Sequence, residues 1–109
     1  MTRLERLAAD LKTAIAGNGK DIRTVQRLAE VYVLLGEPDL AVNLTLRIAH
    51  SFEDDGFALK AVAVLKRTLS DGVDRVEVHE HLARLCGRLG LDREAADHQQ
   101  LAARTRSFI

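Results

Sequence analysis

The chain has 109 residues, 16 basic and 16 acidic, so its formal net charge is zero and it lacks the general electrostatic drive toward nucleic acid or an acidic membrane surface. Its 47% apolar and 29% charged residues, with a single proline, suit one folded domain with a modest core rather than a disordered or multidomain chain. The lone Cys86 excludes an intrachain disulfide, and the apolar runs Val31–Leu35 and Ala61–Leu65 are far too short to span a membrane. Glu5 and Asp10 interrupt any signal-peptide core, so the expected location is cytoplasmic.

Apolar residues at helical spacing predict six amphipathic helices. The first, about Thr2 to Ala16, carries Leu4, Leu7, Ala8, Leu11 and Ile15 on one stripe and is broken by Gly17-Asn18-Gly19. The second starts at Asp21, a candidate N-cap, and runs to Leu35 with Val25, Leu28, Ala29 and Tyr32 inward; Gly36 ends it. Pro38 suits the first turn of a third helix that Gly56 stops. The fourth, about Ala58 to Leu69, is followed by the turn residues Ser70-Asp71-Gly72. Asp74 is the candidate cap of the fifth helix, whose stripe is Val78, Leu82, Ala83 and Cys86, and Asp92 that of the sixth, with Ala95, Leu101 and Ala102 inward. Short connections predict antiparallel packing of consecutive helices.

The chain also matches itself at an offset of 34 residues: Val42, Ala49, Gly56 and Ala61 align with Val76, Ala83, Gly90 and Ala95, and Ile48 and Phe52 align with Leu82 and Cys86. A fixed period of this length is the mark of a helical-hairpin repeat. Thr45, Ile48, Ala49, Phe52, Gly56, Ala61 and Leu65, and then His79, Leu82, Ala83, Cys86, Gly90, Ala95 and Gln99, occupy the positions that define the tetratricopeptide repeat, which this chain resembles. Leu4, Leu7, Ala8 and Leu11 reproduce the first-helix spacing in a less regular N-terminal copy, and residues 22–41 also match the pattern through Val25, Leu28, Ala29, Tyr32, Gly36 and Ala41, so either pairing of the N-terminal helices fits the sequence. Leu4, Thr45 and His79 stand where the family usually has tryptophan, and Val73 and Ser107 stand at its terminal proline.

The resemblance implies an all-α fold, a right-handed superhelical array of about three antiparallel helix hairpins at residues 1–36, 37–72 and 73–109. It also implies a non-catalytic protein-interaction module whose odd-numbered helices line a concave groove for a peptide or partner helix. On that register the groove presents Arg6, Asn43, Arg47, His50, His81, Arg84 and Arg88, a basic stripe suited to an acidic peptide because guanidinium groups hold carboxylates through paired hydrogen bonds. The competing reading is a set of solvated charges neutralised by Glu5, Glu77 and Glu80. The family's carboxylate clamp is not matched: Glu5, Ala9, Arg47, Glu77 and His81 stand at its lysine, asparagine and arginine positions.

Other constellations point away from chemistry. His79 and His81 are two apart and diverge by about 200° on a helix; His98 can approach His79 across a hairpin, but no zinc-ligand spacing is present, so no metal and no cofactor are expected. His79 is expected to fill a large-residue slot, and His50, His81 and His98 to lie on the surface. Cys86 reads as a buried small apolar residue, and Glu53-Asp54-Asp55 as a solvated acidic cluster. Gly17-Asn18-Gly19-Lys20 lacks the spacing of a phosphate loop. No nucleophile, base and oxyanion site assemble, so no catalytic residue is expected. Two other functions stay open: self-association through Phe108 and Ile109, and RNA binding by a helical repeat, which zero net charge and scarce aromatics oppose.

Overall fold

The computed structural model describes residues 1–18 and 21–107, and every regular element among them is helical. Six helices follow in order: α1 (Arg3–Gly17), α2 (Ile22–Leu34), α3 (Pro38–Asp54), α4 (Ala58–Ser70), α5 (Val76–Arg88) and α6 (Asp92–Ser107). The chain is thus all-α, built of consecutive helix hairpins. Gly19, Lys20, Phe108 and Ile109, which entered the phosphate-loop and self-association readings, lie outside the described residues. No described helix is long and apolar enough to cross a membrane.

Glycine stops four of these helices, α2 to α5. Gly36, Gly56, Gly72 and Gly90 have φ of 73°, 84°, 88° and 77°. Each donates its N–H back to the carbonyl three residues earlier, and the following residue donates to the carbonyl five earlier. At Gly56 these are Gly56 N–H to Glu53 O at 2.9 Å and Phe57 N–H to Phe52 O at 2.7 Å. Such paired bonds close the last helical turn around a left-handed residue. An added Cβ at Gly56 would meet nothing within 4 Å, so the demand there is conformational rather than steric.

The chain divides into two compact units, Met1–Ile48 and Ala49–Ile109, with the boundary inside α3. In the first, Thr2 and Glu5 form a capping box on α1, each side chain bonding the other's backbone N–H at 3.2 Å. Asp21 caps α2 as expected, accepting from the Thr24 N–H at 3.4 Å and from its hydroxyl at 2.8 Å; those bonds hold its carboxyl below the usual carboxylate range. Pro38 opens α3, where its fixed φ and missing N–H cost nothing. The core is Ala8, Leu28, Val31, Tyr32 and Ala41, extended by partly buried Leu4, Leu7, Leu11, Ile15 and Leu44.

The second unit centres on α5, which packs against both α4 and α6. Being covered on two sides, α5 buries His79 and His81 as well as its apolar stripe of Val78, Leu82, Ala83, Leu85 and Cys86. Leu65, Leu82, Leu85, Val78 and Cys86 are its most deeply buried large side chains. Ala49 and Ala61 are fully inaccessible, and Ala83 and Ala95 are buried, consistent with small residues letting helix axes approach.

Two helix starts differ from the sequence expectation. Arg75, not Asp74, is the N-cap of α5, and its side chain makes no capping bond; the Asp74 carboxylate is instead engaged by the His79 ring at 2.6 Å. Asp92 is the first residue of α6 rather than its cap, and the Leu91 carbonyl accepts the first helical bond, from the Ala95 N–H at 2.9 Å.

Gly56→Ala is expected to destabilise the protein by about 1 kcal/mol, the cost of placing a side chain in the left-handed region. Leu65→Ala, which opens a cavity, should cost about 3 kcal/mol. Urea unfolding followed by circular dichroism measures both, and equal losses would contradict the distinction between a turn and a core position.

Candidate functional site

In the first unit, α1, α2 and α3 frame a groove of about 260 Å³. Its lining is Lys12 and Ile15 from α1, Leu28 and Tyr32 from α2, and Leu40, Asn43, Leu44 and Arg47 from α3. The amphipathic pattern explains this composition. Leu28 and Tyr32 are core residues whose edges form the floor, and exposed Lys12, Asn43 and Arg47 come from the polar sides of their helices. The Lys12 ammonium lies 5.8 Å from the Tyr32 ring centroid, held over its face. Arg6 lines a separate, wider cleft of about 680 Å³ with Met1, Arg3, Leu7, Asp10 and Arg27. Of the expected groove residues, then, Asn43 and Arg47 come together, and Arg6 stands apart.

In the second unit three of the expected groove residues, His50, His81 and Arg88, converge on one carboxylate. His81 Nε2 lies 2.6 Å from Glu53 Oε2, and His50 Nδ1 lies 3.5 Å from the same oxygen. Arg88 donates to Glu53 Oε1 at 3.3 Å. The His50 and His81 rings are 4.6 Å apart, tilted by 45°. Arg84 is exposed, and its charge acts on His81. The structure corrects two expectations here. His81 is not a surface group but 2% exposed, because Glu53 and His50 reach it from the end of α3. Glu53 is not a solvated acid: its side chain is 14% exposed, whereas Asp54 and Asp55 are exposed. Burial pushes the His81 ring below the ordinary imidazole range, and the bond to Glu53 offsets that only in part.

A second histidine pair crosses the α5–α6 hairpin. His79 Nε2 is 2.6 Å from Asp74 Oδ1, and His79 Nδ1 is 3.2 Å from His98 Nδ1. A carboxylate only accepts, so His79 Nε2–H donates to Asp74. In the neutral ring that leaves His79 Nδ1 as the acceptor for His98 Nδ1–H. His79 fills its buried slot as expected; His98 is half-buried rather than on the surface. Cys86 is fully buried, and that burial raises its thiol pKa, the opposite of an activated nucleophile. Its neighbour Glu94 is held ionised by Lys66 at 2.8 Å.

Sequence spacing carried one signal for the carboxylate cluster, the i, i+3 placement of His50 and Glu53 on one face of α3. Its third member, His81, is 28 residues from Glu53, off the repeat period, and was out of reach of any spacing rule.

No protein-family model matches the chain, and no curated protein matches it. Among solved structures it is similar to MamA AMB-1, at 20% identity over 92% of this chain and 62% of that one, with a TM-score of 0.49. It is likewise similar to MamA MSR-1, at 22% identity over 95% of this chain and 68% of that one, with the same TM-score of 0.49. The chain thus spans 62% of the length of MamA AMB-1. At this identity and score the similarity carries no inference about function.

Burial, and then the neighbouring His79, hold the His98 imidazole below its ordinary range. The unfolded chain therefore takes up this proton more readily than the folded one. The stability contributed by the neutral ring is complete above the unfolded value and is lost as pH falls through the folded value. Asp74, Lys66, Glu94 and Asp97 surround the pair and set its background field. The urea midpoint should fall between about pH 7 and about pH 5, and fall less in His98→Gln. An unchanged pH slope in the variant would remove His98 from the account.

Proposed function

We propose that residues 1–109 form a non-catalytic protein-interaction module of three tetratricopeptide-like hairpins, 1–36, 37–72 and 73–109, and that the α1–α2–α3 groove receives an acidic peptide segment with an apolar side chain. The observation that carries this reading is the groove itself. Ile15, Leu28, Tyr32 and Leu44 offer an apolar floor, while Lys12, Asn43 and Arg47 stand around it. Binding of an apolar side chain removes that floor from water. The Arg47 guanidinium supplies paired donors to a carboxylate, Lys12 adds a compact charge, and the Asn43 amide bonds the peptide backbone. The polar groups of the groove are cations, an amide and a phenol, a set suited to holding a ligand.

A labelled peptide of alternating Glu and Leu should bind at low salt, and a Lys/Leu counterpart should not. In fluorescence anisotropy, Arg47→Glu combined with Lys12→Glu is expected to weaken binding by about tenfold or more, the loss of one or two charge-assisted hydrogen bonds. Equal binding of both peptides, or an indifferent double variant, would defeat the reading.

Self-association is supported by a different observation: Phe57 and Leu59 at the start of α4 are 49% and 67% exposed, large apolar groups two positions apart in sequence. Sedimentation velocity should then show a dimer that Leu59→Glu converts to monomer. A wild-type monomer at every concentration tested would end this alternative.

A further inference from the structure

We propose that His50, Glu53 and His81 form a binding site for a divalent transition-metal ion of the zinc type. The donor atoms are His50 Nδ1, Glu53 Oε2 and His81 Nε2, all within 4.8 Å of one another. In a tetrahedral zinc site with bonds near 2.0–2.2 Å, neighbouring donors stand roughly 3.3–3.5 Å apart. The His50–Glu53 separation of 3.5 Å already has that value. The His81–Glu53 separation of 2.6 Å is a hydrogen bond, and it opens by under about 1 Å when the proton between the two atoms gives way to a metal ion.

The donor set is selective. Two imidazoles and one carboxylate match the borderline ions Zn²⁺, Co²⁺ and Ni²⁺, whereas Mg²⁺ and Ca²⁺ call for oxygen ligands. The positions of the three groups also divide the work of a site. His81 is buried and fixed on α5, Glu53 is mostly covered, and the His50 side chain is 60% exposed. The metal therefore has an entry path on the His50 side and a fourth position for water. Arg88 holds the other Glu53 oxygen at 3.3 Å, the outer contact that orients a ligating carboxylate. Its charge, with that of Arg84, opposes a dication, so the site is one of moderate affinity. Bound metal would link the end of α3 to the middle of α5 within the second unit, and it would do so independently of the peptide groove.

The test uses the purified chain without a histidine tag. Titration calorimetry with Zn²⁺ should give one ion per chain. Co²⁺ should give the intense visible absorption bands of tetrahedral coordination, and excess Zn²⁺ should bleach them. His50→Gln, at an exposed position that leaves the core intact, should weaken Zn²⁺ binding by about tenfold or more, and Glu53→Gln should do the same. His98→Gln, which removes a member of the other histidine pair, should leave binding unchanged, and Zn²⁺ should raise the melting temperature of the wild type but not of His50→Gln. Absence of Zn²⁺ binding would show the three residues to be a hydrogen-bonded cluster and nothing more. Binding that survives both His50→Gln and Glu53→Gln, or that is lost in His98→Gln, would place the metal elsewhere and overturn the assignment.

Discussion

The left-handed glycine turn is the constraint on which the rest of this structure depends. Four helices end on a glycine at positive φ, and in each case two backbone hydrogen bonds reach back over the last turn. Because those turns are so short, the distance between glycines fixes the lengths of the helices between them. Gly56 and Gly90 lie 34 residues apart, the interval at which the sequence matches itself. The repeat is therefore a spacing of turns before it is a spacing of side chains. Local chemistry follows from the same device. Gly56 donates to the carbonyl of Glu53, so the turn that ends α3 also fixes the backbone of the acid that meets His81.

This explains how much of the fold could be read from the chain alone. Glycines at helix ends, Pro38 at a helix start and alanines at Ala49, Ala61, Ala83 and Ala95 are local or periodic signals, and the helices they define are found where those signals stand. Asp74 misled because two partners compete for one carboxylate. A cap would use a local N–H, but here the carboxylate is taken by a histidine ring five residues on, at 2.6 Å. His81 misled for a different reason. Its place in the repeat matches Arg47, a position that is exposed in the first unit. In the second unit the same slot is covered by side chains from the end of α3. A repeat pattern conveys what each helix does on average, and it is silent on which helix is packed on both sides.

The charged residues that sequence reading placed on one stripe are sorted by the structure into separate settings. In the first unit Asn43 and Arg47 border an apolar groove beside Lys12, while Arg6 belongs to a cleft with Arg3, Asp10 and Arg27. In the second unit His50, His81 and Arg88 share Glu53. Cation count alone predicts an electrostatic surface. Geometry instead separates charges that border apolar surface from charges gathered on one carboxylate.

The scarcity of aromatic and sulfur side chains has an experimental consequence. The chain has no tryptophan, one tyrosine and one cysteine. Tyr32 is buried in the first unit and Cys86 in the second. Ultraviolet emission from the phenol thus follows the packing of one unit, and the rate at which a thiol reagent reaches the sulfur follows the packing of the other. The native protein carries two non-overlapping reporters, one per unit, and comparing them through an unfolding transition reads out whether the two units come apart together or in sequence without any change to the sequence.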